Sequence, residues 1–250
     1  MPPLALHTVL AKQTADRLAL SDLDEGRGEL YLGATAPDIR VITRWDRSRT
    51  HFFDLDEFEE QSGVSGLFAA HPALAEAGNL SRATRAFIAG YITHLVMDEM
   101  WIGSIYRPWF GHKSPLGGSL RANIMDRALQ FSLDADSRGD RELMLHVLNE
   151  VAHSDLQLEV DFIDSETLGN WRNVITDYVD REPDWERFRE RAGRHLKEAG
   201  FEGDEGCAEL AMSLPEVVDE TLRYLTAERV DEWMRESVAA SERALREYLR

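Results

Sequence analysis

His94 and Asp98 stand four residues apart inside the most continuously apolar stretch of the chain, RATRAFIAGYITHLVMDEMWIG. On a helix that spacing puts an imidazole and a carboxylate on one face, one turn apart. Gly90, another turn earlier, shares the stripe and is expected to remove a side chain that would crowd whatever binds there. Ile88, Tyr91, Ile92, Leu95, Val96, Met97 and Trp101 surround the pair, so an ionised, unpartnered Asp98 would be costly and something must neutralise it. A divalent metal does this well, and His-x-x-x-Asp supplies one nitrogen and one oxygen ligand without distorting the backbone. Two further stretches carry ligand-type residues in loop-like contexts, GATAPDIR with Asp38 and RSRTHFFDLD with His51, and His7 adds a fifth on the first helix. Three His and two Asp are a common N/O ligand set for zinc and are acceptable to iron or manganese.

Charge counting gives that set a chemistry. Asp38 and Asp98 with three neutral imidazoles carry two negative charges, which one divalent ion cancels and a second converts to two positive charges. A two-metal site therefore wants an anion: hydroxide, phosphate or a phosphoester. One ion would lower the pKa of a bound water while the pair stabilised the charged transition state. Bland readings stand beside these. His94 and Asp98 alone would also suit a buried hydrogen-bonded pair, and His7 a polar residue on a surface helix. His146 with Glu150, at helical spacing, reads as a solvated pair, and His153, His112, His71 and His195 as ordinary surface or turn residues. Glu99, about 100° round the helix from Asp98, is expected to pair with an arginine or support the site from behind, and Trp101 to pack in the core.

The elements that must position these groups read as helices, because apolar residues recur at spacings of three and four and scarcely alternate. The expected fold is all-α. The first helix spans about Leu6 to Leu20, with Val9, Leu10 and Leu18 inward, and a Gly-containing stretch with Gly26 and Gly28 follows. Residues 30–66 are expected to form ordered loops and short helices. Ser81 caps a central buried helix over about 81–103, and a turn-forming segment, Arg107 to Gly118, comes next. Amphipathic helices are expected near Ser119 to Leu133, Arg141 to Ser154, Ser165 to Val179, Pro183 to Ala199 and from Leu214 onward, the last broken around Thr226. The chain reads as a single domain, with 155–164 as a possible boundary between a metal-site core and additional helices.

Composition excludes several functions. Among 250 residues, 28 basic and 46 acidic side chains leave a net charge of −18, which argues against extended nucleic acid or anionic membrane as partner. The single cysteine, Cys207, rules out a disulfide framework or multi-Cys zinc site, and its acidic surroundings make it a poor nucleophile. No export signal is visible and the longest apolar run, Ala86 to Met97, is well short of a membrane span, so a cytoplasmic location is expected. No adjacent His-Asp pair, P-loop, G-x-G-x-x-G turn or G-x-S-x-G elbow occurs. The final stretch, ERVDEWMRESVAASERALREYLR, would suit either a homodimer or an ordinary packed helix.

His7, then Leu-Gly-Ala-x-x-Pro-Asp-Ile ending at Asp38 and Ile39, then Thr50-His51-Phe52, then Gly90-Tyr91-x-x-His94-Leu95-x-x-Asp98-Glu99-x-Trp101 together resemble the bacterial zinc-dependent phospholipase C family, over roughly the first 110 residues. That family shares an all-helical fold with the P1-type nucleases, which cleave phosphodiesters at a tri-zinc cluster. The resemblance implies a phospholipase C/P1 nuclease-like bundle in which His7, Asp38, His51, His94 and Asp98 are metal ligands. It implies that Asp98 bridges two ions, that Asp38 and Asp98 are the catalytic carboxylates, and that His146 and Glu150 are possible additional ligands. The family's free N-terminal amine has no equivalent in Met1 followed by two prolines, and Glu99, Met100 and Trp101 stand where its next histidine would be. One or two zinc ions acting on a small phosphoester is therefore the expectation. The all-helical, metal-dependent acyl-carrier-protein phosphodiesterases are a neighbouring possibility. A non-enzymatic helical binding protein keeping at most a structural metal is the alternative.

Overall fold

In the computed structural model, which describes residues 3–54, 61–182, 184 and 214–250, every regular element is helical and no strand occurs among the described residues. Helices α1 (Leu4–Leu18), α2 (Ser21–Glu25) and α3 (Arg27–Thr35) lead through a 3-10 turn (Ala36–Ile39) to the short α4 (Arg40–Thr43) and α5 (Ser48–His51). Then come α6 (Gly63–Ala70), α7 (Arg82–Met100), α8 (Leu120–Gly139), α9 (Arg141–Ala152), α10 (Ser165–Asp180), α11 (Leu214–Leu225) and α12 (Ala227–Tyr248). The helix expected over Pro183 to Ala199, with His195 and Cys207, lies outside the described residues.

Local chemistry sets most of these boundaries. Ser81, Ser119, Asp140 and Asp164 each accept a hydrogen bond from the backbone N–H three residues on, satisfying a donor that the first turn leaves free. One expected boundary is wrong. The segment expected to turn from Arg107 is helical to Phe110, because α7 continues into a wide π-type coil, Trp101–Phe110. Pro108 would clash with the carbonyl of residue i−4 in an α-helix, and the wider coil gives its ring room. The Gly111 N–H closes that coil on the Tyr106 carbonyl at 2.7 Å.

Helix α7 runs through the middle of the molecule, apolar on nearly all sides, and joins two lobes of core. Phe87, Ile88, Tyr91, Ile92 and Leu95 pack with α3, α9 and α10, while Met97 and Trp101 pack with α1, α8, α11 and α12. His94 and Asp98 sit at the seam. α10 follows the 155–164 stretch, yet its Trp171 and Ile175 are buried in the first lobe, and the Trp171 indole donates to Thr35 Oγ1 at 3.2 Å. α12 spends its apolar stripe (Val230, Trp233, Val238, Leu245) inside the chain.

Helices α3 and α7 touch through two glycines. A Cβ on Gly33 would lie 2.0 Å from the Phe87 carbonyl oxygen, and one on Gly90 would lie 1.9 Å from that of Leu30. Gly90 therefore does not clear space for a ligand, as its place on the His94 stripe suggests. It lets two backbones touch.

The break between α11 and α12 falls at Thr226, as expected, with φ 71° and ψ 143°, a conformation that disfavours a β-branched residue by roughly 1–3 kcal/mol. Its hydroxyl caps α12 by accepting from the Arg229 N–H. Replacing a cap by glycine costs a few tenths of a kcal/mol, and glycine's freedom in the unfolded chain about 0.5–1 kcal/mol. Thr226→Gly is therefore expected to stabilise the protein by about 1 kcal/mol, read as a higher urea midpoint at unchanged slope. A lowered midpoint would show that the cap outweighs the strain.

Candidate metal centre

Five side chains expected to act together from their types are brought together. His7 comes from α1, Asp38 from the 3-10 turn, His51 from the end of α5, and His94 and Asp98 from α7. The two groups His7, His94, Asp98 and Asp38, His51, His94 each offer ligand atoms within 4.8 Å of one another, and His94 belongs to both. Asp98 Oδ1 lies 3.5 Å from His7 Nε2, and Asp98 Oδ2 lies 3.4 Å from His51 Nε2 and 3.7 Å from His94 Nε2. Asp38 Oδ1 is 3.7 Å from His51 Nε2. The side chains of His7, His51, His94 and Asp98 are wholly buried, whereas Asp38 is 19% exposed, so the centre opens on the Asp38 side.

The backbone aims these rings. His94 Nδ1 lies 2.8 Å from the Ala34 carbonyl oxygen. A carbonyl only accepts, so Nδ1 carries the proton and the Nε2 lone pair faces Asp98. The Gly33 and Gly90 contact is what brings that carbonyl to the ring. His51 Nδ1 lies 3.0 Å from Thr50 Oγ1, which itself donates to the Arg47 carbonyl, so His51 also carries its proton on Nδ1 and turns Nε2 inward. The Tyr91 hydroxyl donates to the Thr50 carbonyl and ties this turn to α7. His7 stacks on His94 with ring centroids 3.8 Å apart.

Burial, then the Arg47 charge, holds His51 down at a pKa of about 3, and burial with neighbouring His7 holds His94 well below the ordinary imidazole range. Burial also raises Asp98, but the His94, His7, Arg47 and His51 side chains outweigh it and keep this carboxyl well below the usual carboxylate range. Asp38 is raised, by burial and then by the Asp98 charge. His51 and His94 thus face an ionised carboxylate as neutral imidazoles. His7 Nε2, His51 Nε2, His94 Nε2 and Asp98 Oδ1 have no hydrogen-bond partner, although each is buried. At His51 and His94, a lone pair facing the Asp98 carboxylate across 3.4 and 3.7 Å is satisfied by a cation. Zinc bonds of about 2.0–2.1 Å set tetrahedral ligand atoms roughly 3.3 Å apart, close to these separations. The residues fit a divalent metal.

Sequence reasoning missed Arg47, although it opens the RSRTHFFDLD stretch. Its Nη2 donates to Asp98 Oδ2 at 3.0 Å, so part of the neutralisation assigned to a metal comes from a guanidinium. The available signal is Arg40, Arg44, Arg47 and Arg49 within ten residues of a strongly acidic chain. Glu99 stays outside the two ligand groups, as expected. It accepts from the Gly63 N–H instead of pairing with an arginine, and burial raises its pKa to about 7. His146 and Glu150 are 3.9 Å apart, partly exposed, and line an open surface depression with Lys12, Asp16, Arg27 and Asp140; neither is in the two ligand groups. Among the other histidines, His71 pairs with Asp161 at 2.7 Å and His153 Nδ1 with the Asn149 carbonyl. Trp101 is core, its indole donating to Asp126 Oδ1 at 3.0 Å.

Two depressed imidazoles make the metal-free fold acid-sensitive. Below the ordinary histidine pKa of about 6.5 the unfolded chain binds protons that the folded chain refuses, so stability falls as pH falls. The window runs from about 6.5 down through His51's value of about 3. His51 and His94 together should cost about 3 kcal/mol between pH 6.5 and 5, and the raised Glu99 and Asp38, which take up protons more readily folded than unfolded, offset about half of it or more, leaving a net loss of at most about 2 kcal/mol. Urea midpoints of chelated wild type and His51→Gln isolate the histidine part; a pH dependence unchanged in the variant would contradict neutral burial of His51.

Comparison of the chain with protein-family models, with curated proteins and with solved structures finds no match in any of the three. No described helix is long and apolar enough to cross a membrane.

Proposed function

We propose that the protein is a metal-dependent phosphoester hydrolase of the phospholipase C/P1 nuclease type. His7, Asp38, His51, His94 and Asp98 would hold one or two divalent ions, zinc first and iron or manganese as substitutes. The observation that carries this reading is a set of buried, partnerless imidazole nitrogens converging on an ionised Asp98 from three separate parts of the chain. Bound there, a divalent ion would supply a hydroxide at neutral pH and stabilise charge on the phosphoryl group. The chain's part is to keep His51 and His94 unprotonated, hold Asp98 ionised, and leave Asp38 at the open side where a water or substrate arrives. The acidic composition favours a small phosphoester over long nucleic acid.

Burial of four of the five ligands favours a second reading, a closed structural site in a non-enzymatic helical binding protein. A panel of chromogenic phosphomonoesters and phosphodiesters, assayed with Zn²⁺, Mn²⁺ or Fe²⁺, separates the two. Metal-dependent hydrolysis of at least one class is the expected result. Inactivity across the panel beside a fully loaded site would support the structural metal.

A further inference from the structure

The five ligands do not use the guanidinium that reaches into their midst. Arg40, Arg44 and Arg49 are exposed, but Arg47 is turned inward with its side chain only 13% exposed. Its Nη2 is bonded to Asp98 Oδ2, while Nε and Nη1 are buried and partnerless. Its guanidinium lies 4.9 Å over the Phe53 ring, a contact that uses none of its N–H groups, so the fork's donors at Nε and Nη1 stay unused. A purely structural ion pair would use more of that fork.

Arg47 also changes the charge count. Asp38 and Asp98 with Arg47 carry one net negative charge, so a single divalent ion already leaves the centre positive, and two leave three positive charges. Asp98 Oδ2, the oxygen Arg47 holds, is also the one facing His51 and His94. A cation sharing that oxygen would weaken Arg47's bond to it and repel the guanidinium. An oxyanion placed between them would relieve both effects, and Asp38 and Arg47, the two members of the cluster with exposed surface, mark the side from which it would arrive.

We infer that Arg47 is an anion-binding residue that exchanges its bond to Asp98 for a phosphoryl oxygen, so that metal and phosphate bind this centre cooperatively. The inference rests on the metal-centre reading above, and it specifies a substrate with a charged, unshielded phosphoryl group.

Inorganic phosphate titrated by calorimetry into zinc-loaded and metal-free protein, for wild type, Arg47→Met and Arg47→Lys with zinc content measured in each sample, tests it. Zinc-loaded wild type should bind phosphate about tenfold or more tighter than metal-free protein. Arg47→Met carrying full zinc should lose about tenfold or more, with Arg47→Lys in between. By reciprocity, phosphate should slow zinc removal by a chelator from wild type and not from Arg47→Met. Equal phosphate affinity in fully loaded wild type and Arg47→Met would overturn the role of Arg47 while leaving the metal reading intact. Should Arg47→Met fail to fold, absence of the phosphate effect on zinc retention in wild type would overturn it equally. A wild type that takes up no zinc would remove the metal reading, and this inference with it.

Discussion

His94→Ala is expected to lower zinc affinity roughly a hundredfold or more and to reduce any phosphoester hydrolysis by a similar factor, while the helical far-ultraviolet spectrum persists. His94 is singled out because it is the residue shared by both ligand groups, so its loss breaks each of them. Removing even an outer partner of a metal ligand commonly costs 10–100-fold in affinity, and a ligand common to two groups should exceed that. His7→Ala, by contrast, breaks one group and should cost less. The fold should tolerate the change, because the imidazole gives the metal-free structure only one hydrogen bond, to the Ala34 carbonyl. That carbonyl would then be buried without a partner, a loss of about 1–3 kcal/mol. Zinc affinity by competition with a chromogenic chelator, beside a circular dichroism melt, reads both quantities. Undiminished zinc affinity in His94→Ala would remove the ligand from the account.

Gly90→Ala should produce the largest loss of stability among single conservative changes, about 3 kcal/mol or more, well beyond the roughly 1 kcal/mol by which alanine normally improves a helix. The added Cβ meets the Leu30 carbonyl oxygen at 1.9 Å and the Ala34 nitrogen at 2.7 Å, and both are backbone atoms with no rotamer to change. Helices α3 and α7 must part, and the Ala34 carbonyl moves away from His94 as they do. Loss of stability and weakened zinc binding should therefore travel together, although Gly90 touches no ligand atom. Alanine at Gly78, which a Cβ would leave in open space, is the control. A Gly90→Ala variant as stable as wild type would show that the two backbones are not in contact. Were Gly90 a clearing for the ligand, substitution would weaken metal binding and leave the urea midpoint alone.

What the sequence reveals here follows the range over which each physical signal acts. Helix starts at Ser81, Ser119 and Asp164 are set by a side chain and an N–H three residues apart, and the break at Thr226 by equally local constraints. Such features can be read from a dozen residues. The convergence of His7, Asp38, His51, His94 and Asp98 is legible for another reason: ligand-type side chains in apolar or tightly turned surroundings must find partners, and few others were available. Which of four neighbouring arginines turns inward depends on the path of the loop across α7, and nothing local separates Arg47 from Arg44 or Arg49. Gly90 carries two meanings on one stripe, space for a ligand or space for a helix, and only the position of α3 chooses between them. Pro108 reads as a break because the α-helix excludes it; a wider coil is not written in any single residue.

Metal uptake by chelator-stripped protein tests the central claim most directly, since hydrolysis, acid sensitivity and the role of Arg47 all refer to one cation-binding cluster. Titration with Zn²⁺ should show at least one tight equivalent per chain, with stabilisation of about 2.7 kcal/mol when free metal exceeds Kd a hundredfold. Less than about a tenth of an equivalent of zinc, iron or manganese, with the melting temperature unmoved, would contradict it.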